Sequence, residues 1–527
     1  MPVGIACSAA MPRFFNTTGP CEPRMHYMLP PEARLPEVSM LVQREQYFVL
    51  HAARQTGKTT TMRAFAARLR EQGVASLYTT LEQSQGDEDP ERCEARWLDL
   101  MEGDARFQLP QAMWPPPVVP GVPGNRLRPW LRAWAAALHP VPLVLFLDEA
   151  DVVTGPPLVS LLRQLRAGFQ ERPGGFPASI ALIGMRDLRD YLVAAKDGAP
   201  VNPASPFNIK SASLTLRGFT RAEVASLYSQ HTADTGQVFE AGAVDRAHDW
   251  TRGQPFLVNA LAAECMDKLV TDRAVAITAD HVEEAKERLV MSRTTHLHNL
   301  AYRLREPRVA AIMSTVLVGG DDLPAAGDDF QYCIDLGLLA PGYASPEVAN
   351  PLYREVIARE LSLNTQVNLS LPRAAWLRPD GTLDAAVLVG TFLEWWRENS
   401  DFATRNTPDG YREATVHLCV MAFVQKVVNG GGRVAREYAA GTRRVDICVE
   451  MAGRRTVLEV KRVRPDRESP ERVVREGQAQ LGDYLHTLGE DEGWLLVFDQ
   501  RPGLSWDERM WSRDVVVGGK TLHLRGA

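Results

Sequence analysis

The sequence contains no uninterrupted apolar run of the roughly 18 residues that a membrane-crossing helix needs. Its opening, MPVGIACSAAMPRFF, lacks the basic flank and sustained apolar stretch of a secretory leader. No membrane partner and no export route are expected, and Met11 begins the better-ordered part of this segment. Cysteine is sparse and scattered. The seven (Cys7, Cys21, Cys93, Cys265, Cys333, Cys419 and Cys448) include no CxxC pair, which argues against a zinc site or a disulfide framework and for a reducing, cytoplasmic setting. Excess positive charge is also missing: the net charge of −6 excludes a globally basic nucleic-acid coat but leaves room for local basic patches. There is no internal repeat, no low-complexity tract and no helicase motif.

What is present is ordinary globular material. A length of 527 residues suggests about three to four domains, and 45% hydrophobic against 24% charged residues is enough to bury several cores. YFVL (47–50) reads as a buried strand, followed by HAARQTGKTT and the helical pattern TMRAFAARLREQG, which Gly73 can stop. ASLYTTLE (75–82) reads as the next strand. VPLVLFLDEAD (141–151) and ASIALIGMRD (178–187) are continuous apolar runs suited to the middle of a parallel sheet. Between them and ASLYTTLE lies a stretch at 109–129 with seven prolines, expected to be an insertion or long surface loop. Alternating strands and helices imply a doubly wound α/β domain. From Leu214 the pattern turns helical, with a capping box from Thr220 to Glu223. FQYCIDLGLLAPGYASPEVANPLYREVIARELS (330–362) then reads as helix, short β-wing and helix.

AARQTGKT (52–59) fits a phosphate-binding loop, except that Ala52 stands where the first glycine is expected. The backbone N–H groups of Arg54, Gln55, Thr56 and Gly57, with those of Lys58, Thr59 and Thr60 at the following helix N-terminus, can cradle phosphates. Lys58 would reach the β- and γ-phosphates of ATP, and Thr59 would hold Mg²⁺. In LFLDEAD, Asp148 would support the Mg²⁺ and Glu149 would activate the attacking water. A glycine-containing strand-to-helix turn is the bland alternative, but it leaves two adjacent acids at the end of a buried strand unexplained. Arg186 follows the strand expected beside LFLDEAD, where a γ-phosphate sensor would sit; an ordinary surface arginine is the alternative. In RGQPFLVNALA (252–262), Pro255 opens a helix, a common structural position.

Together RQTGKTT, LFLDEAD, GMRD, SPFNI and GQPFLVNAL resemble the AAA-like branch of the STAND class of signal-transduction ATPases, over roughly residues 13–362. The resemblance implies a P-loop core, a helical lid with a GxP motif and a winged helix. It also implies ATP or ADP held between core and lid, Pro255 near the base, and nucleotide-dependent homo-oligomerisation. RFFNTTGPCEPRMHYMLP (13–30) resembles the strap that precedes the core in such proteins.

Near the C-terminus, RRVDICVEMAGRRTVLEVKRV (443–463) reads as two strands joined by a turn. Period-2 geometry sets Glu459 and Lys461 on one face of the second strand, and the hairpin brings Asp446 toward Glu459. Two carboxylates can share a divalent cation, and Lys461 could orient a water or stabilise phosphate charge. An exposed edge hairpin is the bland alternative. The D-x12-ExK pattern with its flanking helices resembles the PD-(D/E)XK nuclease superfamily over about residues 401–527. That resemblance implies Asp446 and Glu459 as Mg²⁺ or Mn²⁺ ligands, Lys461 as the catalytic lysine, Glu413 as a further acidic ligand and Gln480 as a helix-borne glutamine. Between Arg433 and Arg467 there are ten Lys/Arg against five Asp/Glu, a surface suited to a nucleic-acid backbone. Residues 291–365 hold six arginines, no lysine and nine acids, which would repel DNA.

The expected fold is a multidomain α/β chain: an N-terminal strap over 1–40, a P-loop core with parallel sheet over 41–212, a lid over 213–290 and a winged-helix-like module over 291–365. A linker over 366–400 and a restriction-endonuclease-like α/β domain over 401–527 complete it. The expected function is an ATPase that regulates a metal-dependent nuclease acting on nucleic acid, DNA before RNA; the resemblance extends to defence against foreign DNA, which no residue here shows. The alternative is a regulatory ATPase whose nuclease-like domain only binds nucleic acid or protein.

Overall fold

A computed structural model describes residues 12–118, 120–185, 210–292, 300, 302–318, 328–341, 346–368, 376–405, 416–417, 419–424, 433–440, 443–463, 469–499, 501 and 503–527. Arg186, Glu413, Arg464, Arg467 and the SPFNI stretch lie outside these residues. The chain forms two compact units, residues 1–292 with 334–337, and residues 293–333 with 338–527.

The first unit is built on a five-stranded sheet of order β2-β3-β4-β1-β5. Its strands are β1 (Tyr47–His51), β2 (Ala75–Thr80), β3 (Leu143–Asp148), β4 (Ser179–Gly184) and β5 (Lys210–Thr215), all paired in parallel. Both faces are covered, so the central strands are apolar at every position and not at every second one. On one face Phe48, Leu50, Val144 and Phe146 pack with Leu41 of α1 (Pro36–Gln43) and with Met62 and Phe65 of α2 (Lys58–Glu71). On the other, Val49, Leu77, Leu145 and Leu182 meet Trp97 of α3 (Pro90–Gln108), Trp134 of α4 (Leu127–Leu138) and Leu161 of α5 (Gly155–Gly168). Leu35, Val38 and Leu41 are buried in the core of this sheet, so α1, which begins within the stretch expected as a strap, packs on the sheet through one face.

The proline-rich stretch is not a free surface loop. Met113, Trp114 and Val118 pack on the sheet's core, and indole N–H groups staple the segment down. Trp130 Nε1 donates to Pro116 O at 2.9 Å, Trp134 Nε1 to Met113 O at 3.0 Å, and Trp114 Nε1 to Leu109 O at 2.9 Å. Prolines keep this stretch out of a ladder, and the indoles satisfy three of its carbonyls instead.

The helices α6 (Arg221–Thr235), α7 (Ala241–Thr251), α8 (Pro255–Glu264) and α9 (Ala279–Ser292) form a second core in this unit. The Thr220–Glu223 capping box opens α6 as the sequence suggests, and Gly236 in the left-handed region closes it. Phe15, Tyr27 and Leu29 from the N-terminal segment are part of this core.

In the second unit α10 (Pro307–Val318), α11 (Asp328–Asp335), an antiparallel bridge between Leu339 and Val348, and α12 (Pro351–Asn368) follow in order. Next comes α13 (Ala385–Arg405), inside the stretch expected to be a linker. Phe392 and Trp396 of α13 lie edge-on to Phe498 with ring centroids 6.2 and 5.3 Å apart, so burial makes this helix part of the C-terminal fold. That fold is a six-stranded sheet of order β10-β11-β9-β8-β7-β6, made of β6 (Arg433–Ala440), β7 (Arg443–Met451), β8 (Arg454–Val463), β9 (Glu492–Asp499), β10 (Trp511–Val517) and β11 (Lys520–Gly526). The β6–β7–β8 strands pair antiparallel, while β8, β9 and β11 run parallel. The crossover helix α14 (Pro470–Leu488) joins β8 to β9 and buries Leu481, Tyr484 and Leu485 against the sheet. No helix of the described residues is long and apolar enough to cross a membrane.

Candidate functional site

The loop 52–57 leaves the C-terminal end of β1, where open α/β sheets place their ligands. Its last residue, Gly57, has φ +89° and caps α2; Gln55 also takes positive φ, +59°. The φ of Gly57 favours glycine there, and a Cβ would also lie a tight 3.1 Å from Arg34 Nη1. Thr56 Oγ1 donates back to Ala53 O at 2.8 Å, closing the loop. Lys58 folds into it, donating from Nζ to Ala52 O at 2.6 Å and Ala53 O at 2.9 Å. Only 9% of Lys58 is exposed, and burial pulls its pKa down against the pull of Asp148, Glu149 and Asp151. The ammonium thus rests on carbonyl oxygens where phosphate oxygens would offer full charges.

Thr59 Oγ1 donates to Asp148 Oδ2 at 2.7 Å, so the first turn of α2 and the end of β3 meet through hard oxygen donors of the kind Mg²⁺ prefers. Asp148 Oδ1 accepts from the Glu149 N–H at 2.9 Å. Glu149 sits at φ +54°, a conformation that costs a non-glycine residue about 1 kcal/mol. Burial, then the neighbouring Asp148 and Asp151, raise the Glu149 pKa above the ordinary carboxylate value. Asp151 accepts from the Met185 N–H at 2.9 Å, and a Cβ on Gly184 would crowd it at 2.8 Å. The ends of β1, β3 and β4 therefore converge on one site.

Two contributors here, Arg34 and Tyr78, had no signal in the sequence, and a third, Gln254, is the middle residue of the GQP in GQPFLVNAL. Arg34 lies over the Phe219 ring at 4.6 Å, donates to Thr56 O at 2.9 Å and reaches Arg217 O; burial lowers its pKa to about 10. Gln254 precedes Pro255, which is buried at the first turn of α8. It accepts from the Leu257 N–H at 2.7 Å and donates to Gln55 O at 3.3 Å, tying α8 to the loop. Tyr78 of β2 donates its hydroxyl to Asp148 Oδ2; burial, then Asp148, push its pKa up, so it remains a donor. The 13–30 segment also reaches this end of the unit: the Cys21 N–H donates to Thr60 Oγ1 at 3.0 Å, and Asn259 Nδ2 of α8 donates to Asn16 O at 2.9 Å. Arg54 stands in the turn of the loop itself.

The second unit carries a separate cluster. The β7–β8 register pairs Ile447 with Leu458 and Cys448 with Val457, and one step outward it sets Asp446 across from Glu459. Asp446 Oδ2 accepts from the Val460 N–H at 2.9 Å. Lys461 Nζ donates to Glu459 Oε1 at 2.7 Å, so the two residues share a face. Glu459 is fully buried, and its Oε2 has no hydrogen-bond partner among the described residues. Burial, then Asp446, raise its pKa. Against the upward push of burial, His417, Lys461 and the Val460 N–H hold Asp446 down; against the downward push of burial, Glu459 and Asp446 hold Lys461 up.

His417 Nε2 stands 3.7 Å from Asp446 Oδ2, a neighbour not anticipated from the sequence. Gln480 donates to the Tyr484 hydroxyl at 2.6 Å, and Gly477 lets α14 approach so closely that a Cβ would lie 3.2 Å from Lys461 Cγ. Asp446, Glu459 and His417 thus lie close together, with one Glu459 oxygen left without a hydrogen-bond partner among the described residues. Among the described residues no group of three or more His, Cys, Asp or Glu is arranged to hold a metal.

No family model and no curated protein matches the chain. Among solved structures it is similar to a Walker-type ATPase of Pyrococcus abyssi, at 14% identity and a TM-score of 0.47, over 65% of this chain and 99% of that one. A RuvB variant of Thermotoga maritima aligns at 16% identity and a TM-score of 0.36, over 65% of this chain and 95% of its own. Cdc6p from Pyrobaculum aerophilum aligns at 12% identity and a TM-score of 0.32, over 63% and 94%.

Proposed function

We propose that the first unit binds and hydrolyses ATP and that its nucleotide state governs a metal-dependent nuclease in the second unit, acting on DNA before RNA. The observation that carries the first half is the meeting of Lys58, Thr59, Asp148 and Glu149 at the ends of β1 and β3. Mg²⁺, when bound, would offset charge on the β- and γ-phosphates. Thr59 Oγ1 and Asp148 would hold it. Lys58 would exchange its two carbonyl acceptors for phosphate oxygens, a trade toward charge-assisted bonds. The raised pKa of Glu149 suits it to take the proton of an attacking water. Gln254 and Pro255, on α8, are placed to pass nucleotide-dependent changes to the lid, and assembly of several copies would follow that change.

The second half rests on Asp446, Glu459 and Lys461. A cation would relieve the repulsion of the paired carboxylates and give the orphaned Glu459 oxygen a partner. Lys461 would then be free to steady charge on the scissile phosphate. Incubating the full chain with linear, circular and single-stranded DNA and with RNA, with Mg²⁺ or Mn²⁺ and with or without ATP, tests both halves. Cutting that needs the metal and responds to ATP is expected; nucleotide turnover without cutting in any mixture would leave a regulatory ATPase. That second reading is favoured by the Lys461–Glu459 ion pair at 2.7 Å, which already neutralises one ligand.

A further inference from the structure

Asp148 accepts more hydrogen bonds than a strand-end carboxylate supporting a cation requires. Thr59 and the Glu149 N–H both come from elements any such loop would contribute. The Tyr78 hydroxyl does not: it comes from β2, the edge strand of the sheet, and bonds to the same Oδ2 that Thr59 uses. Tyr78 is itself held from outside the sheet. An edge strand leaves alternate N–H and C=O groups unpaired, and at Tyr78 a side-chain amide fills both places. Gln108 Oε1 accepts from the Tyr78 N–H at 3.1 Å, and Gln108 Nε2 donates to Tyr78 O at 2.6 Å. Arg70 of α2 braces the same amide at 3.3 Å and bonds Ser76 O at 2.9 Å. One turn earlier on α3, Asp104 accepts from Thr79 Oγ1 at 2.5 Å. The final turn of α3 therefore reads the backbone of β2 at the residue whose hydroxyl fixes Asp148.

We propose that Tyr78 is a positioning residue for the cation half of the nucleotide site, and that the Gln108 amide ties its placement to helix α3. This rests on the ATP-binding reading above. A cation would take a lone pair of the Thr59 oxygen while the Thr59 proton stays on Asp148, and the Tyr78 hydroxyl, a second donor to the same Oδ2, would keep that carboxylate from turning away. Loss of an outer partner of this kind costs about tenfold in metal affinity. Because α3 lies in the segment between β2 and β3, any contact that shifts its C-terminal turn would be felt as a change in cation affinity.

The test uses the full chain with a fluorescent N-methylanthraniloyl ATP, titrated with Mg²⁺ and, separately, bound in EDTA. Tyr78→Phe keeps the ring and removes only the hydroxyl. It is expected to need about tenfold more Mg²⁺ to reach half of the metal-dependent gain in nucleotide affinity, with binding in EDTA unchanged. Gln108→Leu should shift the same midpoint in the same direction by a smaller factor, with the Tyr78 hydroxyl still present. A Tyr78→Phe titration that superimposes on the wild type overturns the proposal. So does equal weakening with and without Mg²⁺, which would mean general damage to the loop. If the wild type binds the nucleotide but Mg²⁺ changes nothing, the positioning role falls while nucleotide binding stands; if the wild type binds no nucleotide at all, the ATPase reading falls and takes this inference with it.

Discussion

At the scale of single residues, the nucleotide site separates groups that hold from a group that reacts. Lys58, Thr59 and Asp148 are bonded to one another's surroundings, whereas Glu149 is turned away from the strand by its positive φ and made more basic by burial. Glu149→Gln should therefore keep ATP binding and lose turnover by roughly two orders of magnitude or more, since the amide accepts no proton. Phosphate release measured beside nucleotide binding checks this; unchanged release would remove Glu149 from its role. Glu94 is a different kind of buried acid. It accepts from the N–H groups of Gly124, Arg126 and Leu127, from Arg126 Nε and from Gln164 Nε2, and it is fully buried. This carboxylate pins the end of the proline-rich segment and the start of α4 to α3. Glu94→Ala should cost roughly 3 kcal/mol, because its donors are left buried without an acceptor; the urea midpoint of the first unit's transition measures it, and a shift worth under 1 kcal/mol would contradict it. The motif residues were legible because their spacing is local: a lysine and threonine after a glycine turn, two acids ending an apolar run. Glu94, Arg34, Tyr78 and His417 were not, because each acts through partners 22 to 183 positions away along the chain, and no pattern in a single sequence encodes such pairs.

At the scale of elements, strands buried on both faces were easy to find, since β1, β3 and β4 are nearly pure apolar runs. The segments that were misjudged were those whose apolar residues are diluted by turn formers or polar helix faces. The proline-rich stretch looked like loop because prolines break ladders, yet tryptophans far along the chain supply its missing hydrogen bonds. The helix α13 was hidden inside an expected linker because its first turns carry valines, a glycine and a threonine, which favour helix weakly, and charged residues enter only from Glu394. The hairpin that carries Asp446 and Glu459 was legible down to its turn. Met451 pairs with Arg454, and Ala452 and Gly453 take φ of +48° and +75°, the backbone of a tight two-residue turn with both residues left-handed. Alanine is strained there, while asparagine tolerates it. Ala452→Asn should therefore stabilise the second unit by about 0.5–1 kcal/mol without touching the acidic cluster. A rise in that unit's melting temperature with unchanged chemistry is the expected result, and a fall would show that Ala452 has a packing role.

At the scale of the whole molecule, the chain holds two units with separate cores and two unlike sheets. The first is wholly parallel and places its polar groups at the strand ends, where loops can be shaped around a phosphate. The second mixes antiparallel and parallel pairing and places Asp446, Glu459 and Lys461 along the middle of adjacent strands, where rigid backbone fixes their spacing. ATP hydrolysis assigned to the first unit should then survive substitutions in the second. Glu459→Gln keeps the size of the side chain and removes a charge that burial already disfavours, so folding should be preserved or improved. It should nonetheless abolish metal-dependent cutting, because one remaining carboxylate holds Mg²⁺ poorly. Lys461→Ala should stop cutting through a different route, leaving the carboxylates to bind metal but removing the cation that steadies the phosphate. The two variants are told apart by calorimetric titration with Mn²⁺, which Lys461→Ala should bind at least as well as the wild type and Glu459→Gln should bind about tenfold or more weakly. Both should hydrolyse ATP at the wild-type rate. Cutting that persists in either variant would place the nuclease chemistry on other residues, and loss of ATP hydrolysis in both would mean that the two units do not fold and act independently.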